Sequence, residues 1–238
     1  MQGRRRSPID PLASVNAKSF AVAQEMDKAF IGPIARAYKS GLPGPVRSGF
    51  ANFVSNLHEP IVFLNDLLQL RPRRALKTLG RFAINSTVGL AGTIDMAKRK
   101  PFRMKGHWNS FADTMGVYGI KTGPFFFLPL LGPTTARDFA GNFVDRLVLP
   151  FSIGKPFNQT SYSATTNVGH ALDYRAEREE EVQAIRASAD PYVTSREQYL
   201  SRRRKEIAML RSKHLNPEDA ETQLTEASAA GMPNLASH

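Results

Sequence analysis

NFVSNLHEPIVFLNDLLQLRPRRALKTLGRFAINSTVGLAGTID, residues 52–95, decides how this chain is read. The stretch is strongly apolar, yet it scatters uncharged amides and hydroxyls among its apolar positions: Asn52, Asn56, Asn65, Gln69, Asn85, Ser86 and Thr87. Burying one unpaired amide costs about 1–3 kcal/mol. A helix lying in a lipid interface, or lining a wet channel, has a use for such side chains that a dry core does not. Pro60 suits the first position of a helix over Ile61–Leu70, preceded by another over Val46–Leu57. Pro72 opens a further helix to about Asn85, with Leu76, Leu79, Phe82 and Ala83 on one side.

Outward from this block the pattern stays helical. Apolar residues from Ser14 to Lys39 fall at a helical period, with Pro33 expected to kink or divide the segment. Gly41-Leu42-Pro43-Gly44-Pro45 is a break. Residues 86–133 are rich in glycine and proline and predict turns and short helices. Within them, Phe125, Phe126, Phe127, Leu128, Pro129, Leu130 and Leu131 read as an apolar loop or hairpin, packed in protein or dipped into lipid, rather than as a strand. Thr135 with Asp138 resembles a capping box and opens a helix ending near Pro150. A charged helix follows from Tyr162 through Arg186, and Ser195 with Gln198 opens a basic helix to about Lys213. Asn216-Pro217 starts a last short helix before a frayed end. The expected organisation is a flexible leader over 1–11, one mainly α domain over 12–213, and a tail over 214–238.

Charge is unevenly placed. Of the net +11, residues 1–110 carry 18 basic against 6 acidic side chains, and residues 171–238 carry 10 against 12. A basic excess beside an amphipathic block suits an anionic lipid surface, while a solvated basic face and nucleic acid are the alternatives. The most apolar window, Met115–Gly132, is interrupted by Lys121, Pro124 and Pro129, so it is no spanning helix. With no cysteine, disulfides, thiolate metal sites and cysteine nucleophiles are excluded.

No catalytic signature is found: no G-x-S-x-G, H-E-x-x-H, phosphate loop or dinucleotide fingerprint. His58 beside Glu59 does not make a base pair, since neighbours on a helix point about 100° apart. His107 and His170 lack partners at metal-ligand spacing. Neither a catalytic site, a metal nor a cofactor is expected. Trp108, the only tryptophan, follows the basic run Lys98-Arg99-Lys100 and suits either a headgroup boundary or a partly buried surface. Gly116, Gly119 and Gly123 have hinge chemistry.

Several motifs together resemble those of the MlaA (VacJ) family of bacterial outer-membrane proteins. They are Ser55-Asn56-Leu57, Glu59-Pro60, Asn65-Asp66-Leu67-Leu68-Gln69, Arg81-Phe82, Asn85-Ser86-Thr87, Gly89, Gly92 and Asp95. The likeness continues through Thr114, Gly116-Val117, Gly119, Gly123-Pro124, Leu128-Pro129-Leu130-Leu131-Gly132-Pro133 and Arg137-Asp138, and then Asp190-Pro191-Tyr192, Arg196, Tyr199 and Arg202-Arg203. It spans roughly Asp10–Arg204. Pro101–Asn109, Ala112-Asp113 and Phe125 depart from the family pattern.

The resemblance implies a compact multi-helix disc embedded in the periplasm-facing leaflet of the outer membrane, beside a trimeric porin. Phospholipids misplaced in the outer leaflet would pass through an amphipathic channel to a periplasmic carrier (MlaC-like), without bond breaking. Family members usually carry a signal peptide ending in a lipidated cysteine before Asp-Pro-Leu; here Asp10-Pro11-Leu12 is present, without that cysteine or peptide in this chain. On this reading Asn52, Asn56, Asn65, Asn85 and Thr87 are channel-side candidates, with Arg81 as headgroup phosphate partner. The hairpin Phe125–Leu131, hinged at Gly116, Gly119 and Gly123, would gate access. For the asparagines, capping and helix–helix hydrogen bonding are the plainer roles. A membrane-binding scaffold without transfer, a lipid enzyme and a nucleic-acid module are the competing classes.

Overall fold

Pro60 lies inside a helix instead of opening one. The computed structural model describes residues 7–129, 131–153, 172 and 175–215. In it a 25-residue helix, α3, runs Gly44–Leu68 straight through Pro60. The proline removes one backbone hydrogen bond, and dense contact with the following helix α4, Pro72–Thr87, offsets the loss. The expected break near Leu57 is therefore corrected to one continuous element. Upstream, α1 (Ala13–Met26) and α2 (Gly32–Gly41) are joined by one π-turn over Asp27–Ile31. This wide turn, closed by Gly32 N–H on the Asp27 carbonyl, lets the chain pass Pro33 without a break.

Downstream, α5 is short (Phe111–Val117), capped by Ser110, whose hydroxyl accepts from Asp113 N–H. The phenylalanine run is a true strand. β1 (Phe125–Leu128) pairs antiparallel with β2 (Gly132–Thr135), in the register Phe125–Thr135 to Leu128–Gly132. The expected hairpin is present, but its first arm is a strand and not a loop, because alternate residues have separate uses: Phe125 and Phe127 point into protein, while Phe126 and Leu128 are half-buried. Helix α6 (Ala136–Ile153) begins at the expected cap, Asp138 N–H donating to the Thr135 hydroxyl at 3.3 Å, and continues past Pro150. α7 covers Glu179–Ala187 and α8 covers Pro191–Leu215. The start of α8 is set by Asp190, whose carboxylate accepts from Val193 N–H, and not by Ser195, which lies within the helix. The start of the charged helix expected over 162–186, the short helix at Asn216 and hairpin residue Leu130 fall outside the described residues.

One small apolar core holds the hairpin. Phe20 of α1, Phe125, Phe127, Tyr192 and Leu200 form it, with Phe20 edge-on to Phe127 at 5.2 Å. Asn16 pins the strand, donating to the Phe125 carbonyl and accepting from Phe127 N–H, each at 3.0 Å. Asn16 also donates to Asp10, which takes Tyr192 and Arg196 of α8 as further donors. The last residues of the expected leader are thus tied down, with Asp10 buried.

Elsewhere the interior is polar. Among the described residues 22 polar or charged side chains are buried against 15 apolar ones, six of which are alanines. Meanwhile 24 large apolar side chains are exposed, including Val15, Val22, Phe30 and Ile34 on the first helices and Phe139, Phe143 and Leu147 on α6. Solitary exposed leucines need no account, but this many, on successive helix faces, mark a surface meant for an apolar surrounding. No helix among the described residues is long and apolar enough to cross a membrane.

α8 is locked to α6 by charge. Arg203 donates from Nε and Nη2 to the two oxygens of Asp138 at 3.1 and 3.0 Å, and Tyr199 and Arg137 donate to the same carboxylate. Burial alone would raise the Asp138 pKa, but these donors outweigh it and hold it at about 2. A carboxylate depressed below its unfolded value of 3.8 stabilises the fold above that value and loses the effect as pH falls toward 2. The drop is about 2 units, so about 2–3 kcal/mol of stability should vanish between about pH 4 and pH 2. Thermal melts in detergent across that range should show it, and Asp138→Asn should flatten this part of the profile.

Candidate functional site

The amide-rich faces of α3 and α4 turn toward protein, and their leucines turn outward. On α4 the buried positions are Ala75, Thr78, Arg81 and Asn85, while Leu76 and Leu79 are 67% and 47% exposed. On α3, Asn56, Glu59, Asn65 and Asp66 are buried and Leu64, Leu67 and Leu68 are exposed. The polar residues that looked costly are nearly all partnered with one another.

Arg81 is the centre of this arrangement. Its Nε donates to Glu59 Oε1 at 2.8 Å, Nη2 to Asp95 at 3.3 Å, and Nη1 to the Met104 carbonyl. Asp95 also accepts from Asn85 Nδ2 at 3.1 Å and from Lys98 N–H at 3.2 Å. Asn85 in turn accepts from Ala97 N–H at 2.9 Å, and its carbonyl accepts from Gly92 N–H. So the residues from Asn85 to Asp95 fold one tight turn back onto the end of α4. Glycine is required there: Gly92 has φ +92°, and a Cβ on it would lie 2.6 Å from the Asn56 side chain. Asn56 itself donates to the Ser86 hydroxyl at 2.9 Å.

A second knot lies along α3. Asp66 takes His107 at 2.8 Å, Asn109 at 2.9 Å and Thr78 at 3.1 Å. Burial pushes the Asp66 carboxyl up, but His107, Asn109 and Arg74 together hold it below its ordinary value. Gln69 donates to Asn109 and Thr114, and Thr114 donates to Asn65, which donates onward to Asp145.

Beside the Glu59–Arg81–Asp95 chain opens a cleft of about 570 Å³. One wall is α3, through Asn52, Ser55, His58, Glu59 and Val62. The other comprises Arg81, the turn at Asp95 and Lys98, and the segment Lys105–Trp108. Trp108, 59% exposed, stacks flat on His58, with centroids 4.0 Å apart. Burial raises the Glu59 pKa further than Arg81 lowers it.

Of the expected channel residues, only Asn52 and Arg81 line this cleft. Asn56, Asn65 and Asn85 are structural partners behind it, and Thr87 is exposed, donating to its own helix at Ala83 O. Arg81, expected as the headgroup phosphate partner, directs its hydrogen bonds to two carboxylates and a carbonyl. In the hairpin, Phe125 and Phe127 are core residues, while Pro129 and Leu131 are exposed at its tip. Gly119 and Gly123 have positive φ, as turns require. Gly116 is a helix residue where a Cβ would collide with Ile207 at 2.5 Å, so it serves packing. Sequence reading missed Lys98, Lys105 and His58 as cleft residues; the one available signal was Trp108 amid basic residues.

A polar interior, an apolar outer surface and a cleft holding both charges and an indole define a membrane-associated helical protein. The chain belongs to the MlaA lipoprotein family, whose profile matches residues 8–206. It is 33% identical over 204 residues to the intermembrane phospholipid transport system lipoprotein MlaA of Escherichia coli K12, covering 81% of this chain and 76% of that one. It is 33% identical over 177 residues to the protein of that name from Haemophilus influenzae, covering 73% and 69%. A solved structure concerned with maintenance of bacterial outer-membrane lipid asymmetry superposes with a TM-score of 0.74 at 31% identity, covering 85% of this chain and all of that one.

Removing the guanidinium of Arg81 would leave Glu59 and Asp95 without their counter-charge. Arg81→Met should therefore lower unfolding stability in detergent by about 3–5 kcal/mol, the usual cost of orphaning a buried ion pair. The double variant Arg81→Met/Glu59→Leu should recover part of the loss, as read by thermal melts.

Proposed function

We propose that this protein moves phospholipids between membranes without chemical change, withdrawing misplaced lipid from the outer leaflet of the outer membrane. The observation that carries the reading is the inverted distribution of side chains, apolar on the outer surface and polar in the interior and the cleft. Lipid tails meet the exposed leucines and valines, while a charged headgroup meets Asn52, Ser55 and the lysines. Transfer then needs no large desolvation of the headgroup, the main barrier to moving a phospholipid. Family membership supports the same reading, since named relatives are phospholipid transport lipoproteins.

The finer points rest on the family resemblance. They are a seat in the periplasm-facing leaflet, a trimeric porin as neighbour, and a soluble MlaC-like carrier as recipient. The hairpin as a gate is likewise part of the proposal, and the buried Phe125 and Phe127 confine such movement to the tip around Pro129 and Leu131. On the basic face of α8, Arg203 is committed within the protein, pairing with Asp113, Asp138 and Glu206.

Protein purified in mild detergent should carry phospholipid, identified by mass spectrometry, and should accelerate lipid exchange between vesicles. Binding without exchange would favour a passive scaffold; no phospholipid with salt-steep DNA binding would overturn the proposal. Leu76→Glu/Leu79→Glu should weaken vesicle association about tenfold or more while leaving helicity by circular dichroism intact, because both side chains lie outside the interior.

A further inference from the structure

The cleft contains more positive charge than it uses. Its acids, Glu59 and Asp95, are both bound to Arg81. Lys98 and Lys105, both lining the wall opposite α3, have no carboxylate partner among the described residues, and both are exposed. Two unpaired ammonium groups at a cleft mouth match one phosphodiester anion. The cleft also lacks a donor. Glu59 Oε1 is held by Arg81, but Oε2 is buried and has no hydrogen-bond partner, although Glu59 is 5% exposed and walls the cleft. A buried carboxylate oxygen left in this state is costly, and an N–H or O–H arriving in the cleft would relieve it. Beside them the flat His58–Trp108 stack forms part of the cleft lining.

We propose, on the basis of the transport reading above, that the cleft selects phospholipid headgroups that combine a phosphodiester with a hydrogen-bond donor. The phosphate sits between Lys98 and Lys105, and the terminal ammonium or hydroxyl donates to Glu59 Oε2. Ethanolamine and glycerol headgroups meet this requirement. Choline does not, because its quaternary nitrogen has no N–H. Lys105 and Trp108 lie in the segment that departs from the family pattern, while Glu59 belongs to a motif shared with it.

The test is binding of defined lipids to the full chain in detergent, by native mass spectrometry and competition. Phosphatidylethanolamine and phosphatidylglycerol should bind about tenfold more tightly than phosphatidylcholine of the same tails, the discrimination expected of one charge-assisted hydrogen bond. Lys98→Ser/Lys105→Ser, at two exposed positions, should weaken all three by about tenfold or more with helicity unchanged. Glu59→Gln should abolish the preference over choline; if that variant fails to fold, the comparison of headgroups on the unaltered chain still decides. Equal binding of phosphatidylcholine, or no effect of the lysine substitutions, overturns the headgroup site. If vesicle exchange persists in that case, the transport reading survives it. Glycerophosphoethanolamine, which has the headgroup but no tails, should compete weakly; competition equal to the intact lipid would assign the site to a soluble phosphodiester and overturn a lipid site.

Discussion

The guanidinium of Arg81 between Glu59 and Asp95 is the contact on which the rest of this structure depends. It joins the middle of α3 to α4 and to the turn that follows, and through Met104 it positions the loop forming the far wall of the cleft. In a protein facing lipid, apolar burial gives little force for bringing helices together, since the surroundings are as apolar as leucine. Cohesion must come from close packing and from polar contacts between elements. That is the arrangement found: small residues such as Ala75 and Gly92 allow approach, and the amides and charges do the joining.

The same logic is repeated on the other side of the molecule. Asp10 gathers Asn16, Tyr192 and Arg196, Asp27 gathers Arg175 and Arg186, and Asp138 gathers Arg137, Tyr199 and Arg203. Each of these acids ties the C-terminal region to an earlier element. The basic residues of α8 that looked like a free surface are partly the counterparts of these acids. Among the described residues an ordinary apolar core appears around the phenylalanine hairpin.

What the sequence allowed one to read was the class of structure, and less of its internal geometry. The helices around Pro33 and Pro72, the cap at Thr135 and the mainly α architecture followed from local chemistry. Pro60 misled because a proline tolerated by packing looks the same as one that starts a helix. The strand at Phe125 was hidden because both its faces are occupied unequally, so no clean alternation of polar and apolar residues appears. The amides of residues 52–95 announced an environment unlike a dry core, which is correct of the whole protein. Their direction was not legible, since helical periodicity separates two faces without saying which one is inside. For α4 the leucine face is the outer one. Lys98, Lys105 and His58 come together only through the fold, from three separate segments.

The outward leucines also govern how this protein responds to temperature. The large positive heat-capacity change that accompanies unfolding arises from apolar surface newly exposed to water. Here much of that surface already lies outside the fold, in contact with lipid or detergent, and what unfolding releases from the interior is largely amide, carboxylate and guanidinium. Hydration of polar groups contributes with the opposite sign. The curve of stability against temperature is consequently shallow, with cold weakening the fold little. A protein organised in this way is held to its shape by electrostatics over a wide thermal range, provided its apolar surroundings remain.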